Sequence, residues 1–264
     1  MIHRPDQPPI PIPEQEIKME KIFPSQDLQN AYKNLSITTS PEFTRKLLDD
    51  KTKMLIEVLQ SGRLPQDILK TYETIYVSSG IDIELPLCLG ARKITLVDTE
   101  LSDEAIFQSL LSKINALDTQ AIVFTEKEKT LIRFNFDFGK GKENVSIKIE
   151  PKIFGKEHAA HHKDGEPYEL PNEVGLVLGY RTQDALINDS EVRDKLVPGG
   201  VVLVDDLTMT VHEYYEEIEK ISNSTTMLPD EIKAIAYKKR GYEYVPLKTN
   251  SDRGWKKSFL IKTA

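Results

Sequence analysis

The chain holds one cysteine, Cys88, in 264 residues, which excludes an intrachain disulfide and any multi-cysteine zinc site. Cys88 sits on the apolar side of a helical stretch with no electropositive neighbour in sequence, the setting of a buried structural thiol rather than a nucleophile. No apolar run approaches the roughly 18 residues that a membrane-spanning helix needs, and the opening MIHRPDQPPIPIPEQ has no signal-peptide core, so a cytoplasmic protein with no membrane partner is expected. Basic residues are outnumbered, 35 Lys and Arg against 42 Asp and Glu for a net charge of −7, and the densest basic run is only Lys238, Lys239 and Arg240. A nucleic-acid partner is therefore not expected, and the run reads as a solvated helix end. The GxGxxG turn is absent, which sets a nicotinamide dehydrogenase aside. So is HExxH: His158, His161 and His162 in EHAAHH lack a fourth ligand by spacing, and no metal is expected there. There is no internal repeat.

What remains is a globular composition, 39% hydrophobic and 29% charged, enough for one large core or two modest ones. Residues 1–24 carry Pro5, Pro8, Pro9, Pro11, Pro13 and Pro24 and read as an extended arm laid over its own domain or a second copy. Residues 25–71 turn helical. Leu28, Tyr32 and Leu35 share one face, as do Phe43, Leu47, Leu48, Met54, Leu55, Val58 and Leu59, and Ser40 and Pro41 mark a helix start. This layer suits a cap or, with the arm, a homo-oligomer contact.

Residues 72–264 alternate strand and helix. Ile75, Tyr76 and Val77 form a short β-prone strand, and Ser78, Ser79 and Gly80 break it with small residues that allow close backbone approach. Asp82 is placed to cap the next helix, whose apolar side is Ile83, Leu85, Leu87, Cys88 and Leu89. Gly90 ends that helix, and Lys93 to Val97 is a second strand ending in Asp98. Such a unit opens a nucleotide-type site, with backbone N–H groups at the turn and a carboxylate on the next strand tip to accept from ribose hydroxyls. The alternative role for Asp98 is to cap the following segment, with Thr99 and Ser102.

A helix over about 102–116 buries Ile106, Leu110, Leu111 and Ile114, and Ala121 to Phe124 is a strand. TLIRFNF and NVSIKI alternate around the turn Gly139 to Lys142, a β-hairpin added near 130–149 whose GKGK turn is a solvated loop rather than a phosphate site. Residues 151–171 read as irregular. Val174 to Leu178 is a strand, Glu191 to Leu196 helical, and Pro198, Gly199 and Gly200 turn into the strand Val201 to Val204 ahead of Asp205 and Asp206. Val211 to Ile221 is helical, Ile232 to Tyr237 fits either state, and Tyr242 to Val245 and Lys257 to Ile261 are strands.

This order of pieces resembles the class I S-adenosylmethionine-dependent methyltransferases, over about Tyr72 to the C-terminus. SSGIDIELPLCLGARKITLVD resembles the first glycine motif through the acidic end of strand two. KLVPGGVVLVDD resembles the entry to strand five, and KKSFLIKT the last strand. The departure is a first motif with a single glycine: aligned without gaps from Asp98, Gly80 takes the third glycine place, whereas a shorter loop makes it the first. The resemblance implies a Rossmann-like α/β sandwich of three layers, its sheet mainly parallel with an antiparallel last strand, beside the N-terminal helical layer. It implies S-adenosylmethionine as cofactor, held by Ser78, Ser79, Gly80 and Asp98. A small-molecule substrate would enter beside Asp205, Asp206, Tyr180 and His212, with Asp205 or His212 as the base. The VDD ending also resembles metal-assisted O-methyltransferases, but two acids alone do not make a metal site, and helix capping ahead of Thr208 to His212 is the favoured reading of the pair. The contrasting reading is a non-catalytic scaffold of the same fold that has lost the cofactor.

Overall fold

The computed structural model describes residues 19–36, 52–80, 82–118, 120–126, 129–154, 166–179, 190–204, 229–250 and 256–263. Helix α1 (Met19–Ile22) is a single turn at the end of the proline-rich arm, and α2 (Gln26–Ser36) follows. Ser25 starts α2, its Oγ accepting from the Leu28 N–H at 3.1 Å, an N-cap bond that satisfies one orphan donor. Helix α3 (52–60) and α4 (Gln66–Thr71) complete the N-terminal helices. The helix start expected at Ser40 and Pro41 lies outside the described residues.

Strand β1 (Glu73–Val77), α5 (Glu84–Leu89) and β2 (Lys93–Val97) follow the expected sequence pattern. Helix α5 has six residues, too few to be stable by propensity. Burial holds it: every residue from Glu84 to Leu89 is buried, and a fully buried leucine contributes about 1.5–3 kcal/mol. Pro86 is tolerated because it stands in the first turn, where its missing N–H would have no partner. Gly90 closes the helix at φ 103°.

A 3₁₀ turn (Thr99–Ser102) leads into α6 (Glu104–Leu117), capped by Asp103, whose carboxylate accepts from Ala105 at 2.8 Å and Ile106 at 3.3 Å. Strands β3 (Ile122–Glu126), β4 (Lys129–Asp137) and β5 (Lys142–Glu150) form a meander. Two short strands, β6 (Ile153–Phe154) and β7 (Pro167–Tyr168), pair separately. Then come β8 (Val174–Gly179), α7 (Ser190–Lys195), β9 (Leu196–Val204), α8 (Pro229–Lys239), β10 (Tyr242–Asn250) and β11 (Lys256–Lys262). Ile232 to Tyr237, open in the sequence, is thus helical.

Nine strands share one sheet in the order β10-β11-β9-β8-β1-β2-β5-β4-β3. Its centre, from β9 to β5, is parallel, and β11 runs antiparallel to both β9 and β10. All strands but β4 and β11 therefore point one way, and the last strand is reversed as the resemblance implies. The second strand of the expected hairpin, β5, pairs in parallel with β2 and belongs to the core, so the addition to the parallel sheet is β3 and β4. The alternation of NVSIKI signals a strand but carries no information on which neighbour it pairs with.

Each face of the sheet has its own apolar cluster. One gathers Tyr76, Ile94, Leu96, Ile147 and Leu178 under Leu28, Leu35, Leu55, Val58, Leu87 and Leu110, so the N-terminal helices, α5 and α6 cover one side. The other gathers Ile75, Val77, Val97, Val177 and Val202 under Tyr168, Val192 and Tyr237. The result is a three-layer α/β sandwich. Residues 25–36 and 52–71 thus share their apolar core with the sheet. Polar bonds fasten them as well: the Ser25 hydroxyl donates to the Asp137 carbonyl, and the Asp137 N–H donates to Asp27 Oδ2 at 2.9 Å. In the GKGK turn, the Gly139 and Gly141 N–H groups donate to Asp137 Oδ1 at 2.7 and 3.1 Å, so a phosphate would have to displace that carboxylate.

Candidate ligand site at the switch point of the sheet

Strand β1 has β2 on one side and β8 on the other, with Tyr76 opposite both Leu96 and Leu178. The chain crosses from β1 outward in one direction through β2 and β5, and in the other through β8 and β9. In an open α/β sheet that reversal leaves a crevice beyond the strand carboxyl ends, where ligands bind. Ser78 to Gly80 leave β1 and Asp98 leaves β2 on this edge, from strands about 4.8 Å apart. Asp205 and Asp206 follow β9 directly in sequence. They, His212, Tyr180 and the three clustered histidines lie outside the described residues.

The loop after β1 is tied together from within. Ser78 Oγ accepts from the Gly80 N–H at 3.2 Å and stands 3.3 Å from Asp82 Oδ1, to which it donates. The Tyr76 hydroxyl donates to the same oxygen. Asp82 is only 1% exposed and Tyr76 equally so. Burial, and then the Asp82 charge, pushes the Tyr76 phenol well above its ordinary range, so it stays a donor. The expectation that Asp82 caps α5 is corrected here: the cap position is Ile83, with no side-chain bond. The Tyr76 and Ser78 hydroxyls supply the donors that this buried carboxylate needs, and a buried charge is kept only with such partners.

Gly80 has φ 80°, and a Cβ there would lie 2.9 Å from Leu96 Cδ1 and 3.0 Å from Leu110 Cδ1. Its missing side chain lets the turn close onto β2 and α6. Ser79, half-buried, stands between the two tied residues.

Asp98 caps the 3₁₀ turn, Oδ1 accepting from the Glu100 N–H at 3.0 Å. Capping and ligand binding are compatible, because a carboxylate has two oxygens and about four acceptor sites. Asp98 is half-buried. The sequence reading missed two buried acids near this edge. Glu84 is 2% exposed with Lys113 Nζ 3.5 Å from Oε2; desolvation raises its pKa, against the lowering effect of Lys113. Glu150, at the tip of β5, pairs with Lys148 at 2.6 Å. The signal for Glu84 was its place inside the apolar run IDIELPLCLG, where a charge has to find a partner. Cys88 is buried, and desolvation pushes its thiol far up, leaving it inert at neutral pH.

Among the described residues no group of three or more His, Cys, Asp or Glu could hold a metal ion, and no helix is long and apolar enough to cross a membrane. These elements define an open, doubly wound α/β domain whose strand order reverses at β1. No family model matches the chain, and no curated protein does. Solved structures do. One is magnesium protoporphyrin IX methyltransferase from Synechocystis PCC 6803 with bound SAH, 10% identical over 93% of this chain and 98% of that one, with a TM-score of 0.43. Another is the N-methyltransferase NodS from Bradyrhizobium japonicum WM9, 9% identical over 78% and 93%, with a TM-score of 0.37. Likenesses at this level say nothing about what this chain binds, and the fold class rests on its own strand order.

Proposed function

We propose that the chain is an S-adenosylmethionine-dependent methyltransferase acting on a small molecule, with residues 72–264 as its catalytic domain and 25–71 as a covering helical layer. One observation carries the reading. Taking β1, β2, β5, β8, β9, β10 and β11 as one to seven, the sheet runs 3-2-1-4-5-7-6 with the seventh strand reversed. A mainly parallel sheet with a reversed last strand is what the sequence resemblance implies, and an acidic residue stands on the tip of strand two. Fold alone does not define activity; the carboxylate at the switch point is what directs the reading to a nucleoside.

In this reading Asp98 accepts from the ribose hydroxyls while its other oxygen caps the 3₁₀ turn. Ser78, Ser79 and Gly80 form the wall beneath the ligand, shaped by the Tyr76–Asp82 bond. When bound, the cofactor supplies an electrophilic methyl group on a sulfonium. The chain's contribution is alignment of the acceptor atom with that methyl, which accounts for much of the acceleration in such transfers. Asp205 or His212 removes the proton of the accepting group.

The test is calorimetric titration of the full chain with S-adenosylmethionine and with its demethylated product at several temperatures. Saturable one-to-one binding supports the reading. No heat at millimolar ligand at any temperature overturns it and leaves the fold as a scaffold.

A further inference from the structure

The two edges of the nine-stranded sheet are built differently. At the β10 edge, Pro246 removes a donor, the Lys248 N–H donates to Glu57 of α3, and Glu243 pairs with Arg63. These are the devices by which sheets block edge pairing: proline, charge and a covering element. At the other edge stands β3, whose Ile122, Val123 and Phe124 are 55%, 42% and 45% exposed, the large hydrophobics exposed among the described residues. No proline or charge interrupts them; the first charged residue of the strand is Glu126.

The register fixes which backbone groups face outward. Glu126 lies opposite Lys129 with two residues between them in the chain, so that pair exchanges both hydrogen bonds. Alternation then turns the N–H and C=O of Ile122 and Phe124 toward β4, and those of Val123 and Thr125 away from the sheet.

We infer that β3 is a self-complementary edge which pairs antiparallel with β3 of a second copy of this chain about a two-fold axis at Val123. In that register Val123 meets Val123, and their outward backbone groups bond each other. Ile122 meets Phe124 of the other copy on one face, and Ala121 meets Thr125. Moving the axis to Phe124 sets Ile122 against Glu126, moving it to Thr125 sets Phe124 against Glu126, and moving it to Ile122 sets Phe124 against Gln120, so the Val123 register is the one that places Ile122, Val123 and Phe124 all against apolar residues. The chain thus carries the strand its own edge fits. A two-fold contact consumes both β3 edges and the β10 edges are blocked, so assembly stops at two. A strand of five residues covers less than the roughly 800 Å² per partner of a standard interface, so the dimer is weak and concentration-dependent. This inference is independent of the methyltransferase reading.

The experiment is sedimentation equilibrium of the full chain across micromolar to near-millimolar concentration, beside Ile122→Glu and Val123→Pro. In Ile122→Glu the new carboxylate faces Arg133 on its own β4 partner strand, a favourable cross-strand pair, but buries a charge against Phe124 of a second copy. Val123→Pro removes an N–H that β4 does not use. The expected result is reversible growth from one to two chains for the native protein, with Ile122→Glu remaining single at every concentration and keeping its circular dichroism and Tm. Val123→Pro, if folded, behaves the same way. A native chain that stays single throughout, an Ile122→Glu dimer as strong as the native one, or growth beyond two chains would each overturn the inference.

Discussion

Replacing Gly80 by alanine tests the packing of the loop on which the candidate site is built. Two costs are added. At φ 80° a side chain costs about 1–2 kcal/mol of backbone strain, and a Cβ forced against Leu96 and Leu110 costs about 1–3 kcal/mol of overpacking. Gly62→Ala is the matched reference: Gly62 has φ 63° and nothing within 4 Å of its Cβ position, so it carries the first cost alone. The small gain from a stiffer unfolded chain is common to both. Gly80→Ala should therefore be less stable than Gly62→Ala by about 1–3 kcal/mol in urea unfolding at unchanged m. In Tm this is about 2–4 °C per kcal/mol for a chain of this size. A Leu110→Ala background makes room for the new Cβ and should shrink the Gly80→Ala penalty, a coupling readable from the double-mutant cycle. Equal stability of Gly80→Ala and Gly62→Ala, with no coupling to Leu110, would refute the packing argument.

Tyr76→Phe removes one of the buried donors to Asp82 and should cost about 1–3 kcal/mol in urea unfolding, the penalty of withdrawing a partner from a buried charge; a change under 0.5 kcal/mol would show that the bond does not hold the loop. Glu84 has its folded pKa raised by burial, so the folded state binds its proton more tightly than the unfolded one. Its ionisation therefore costs stability as pH rises from the ordinary glutamate value of 4.5 to the folded pKa, and costs nothing below that range. Glu84→Gln should accordingly gain on the native chain as pH rises through the carboxylate region; a gain that shrinks instead would reverse the sign of the burial effect.

The strand–turn–helix–strand run at 73–97 was legible because period, glycine placement and β-branched residues agree there, and the reversed last strand followed from the resemblance of KKSFLIKT. Three features were not legible. The β5 pairing with β2 depends on which strand the chain returns to, and alternation alone does not encode that. The diversion of Asp82 from capping to the Tyr76 hydroxyl is a contact across the strand end that a linear reading of capping residues misses. Gly80 reads in sequence as room for a ligand, whereas its Cα packs on Leu96 and Leu110; a glycine's sequence signal is the same for both uses. Asp98 was legible as both strand tip and cap, and the structure shows the cap bond directly.

The central claim is that Asp98 at the switch point holds a nucleoside, and the most direct measurement is the affinity of S-adenosylhomocysteine for the native chain and for Asp98→Asn. Asparagine caps as well as aspartate, so the Glu100 bond and the Tm should be unchanged. Loss of the charged acceptor should weaken binding by about 1–3 kcal/mol, or about 5- to 150-fold. Native affinity retained by a variant with native Tm would contradict the account, leaving Asp98 a capping residue alone.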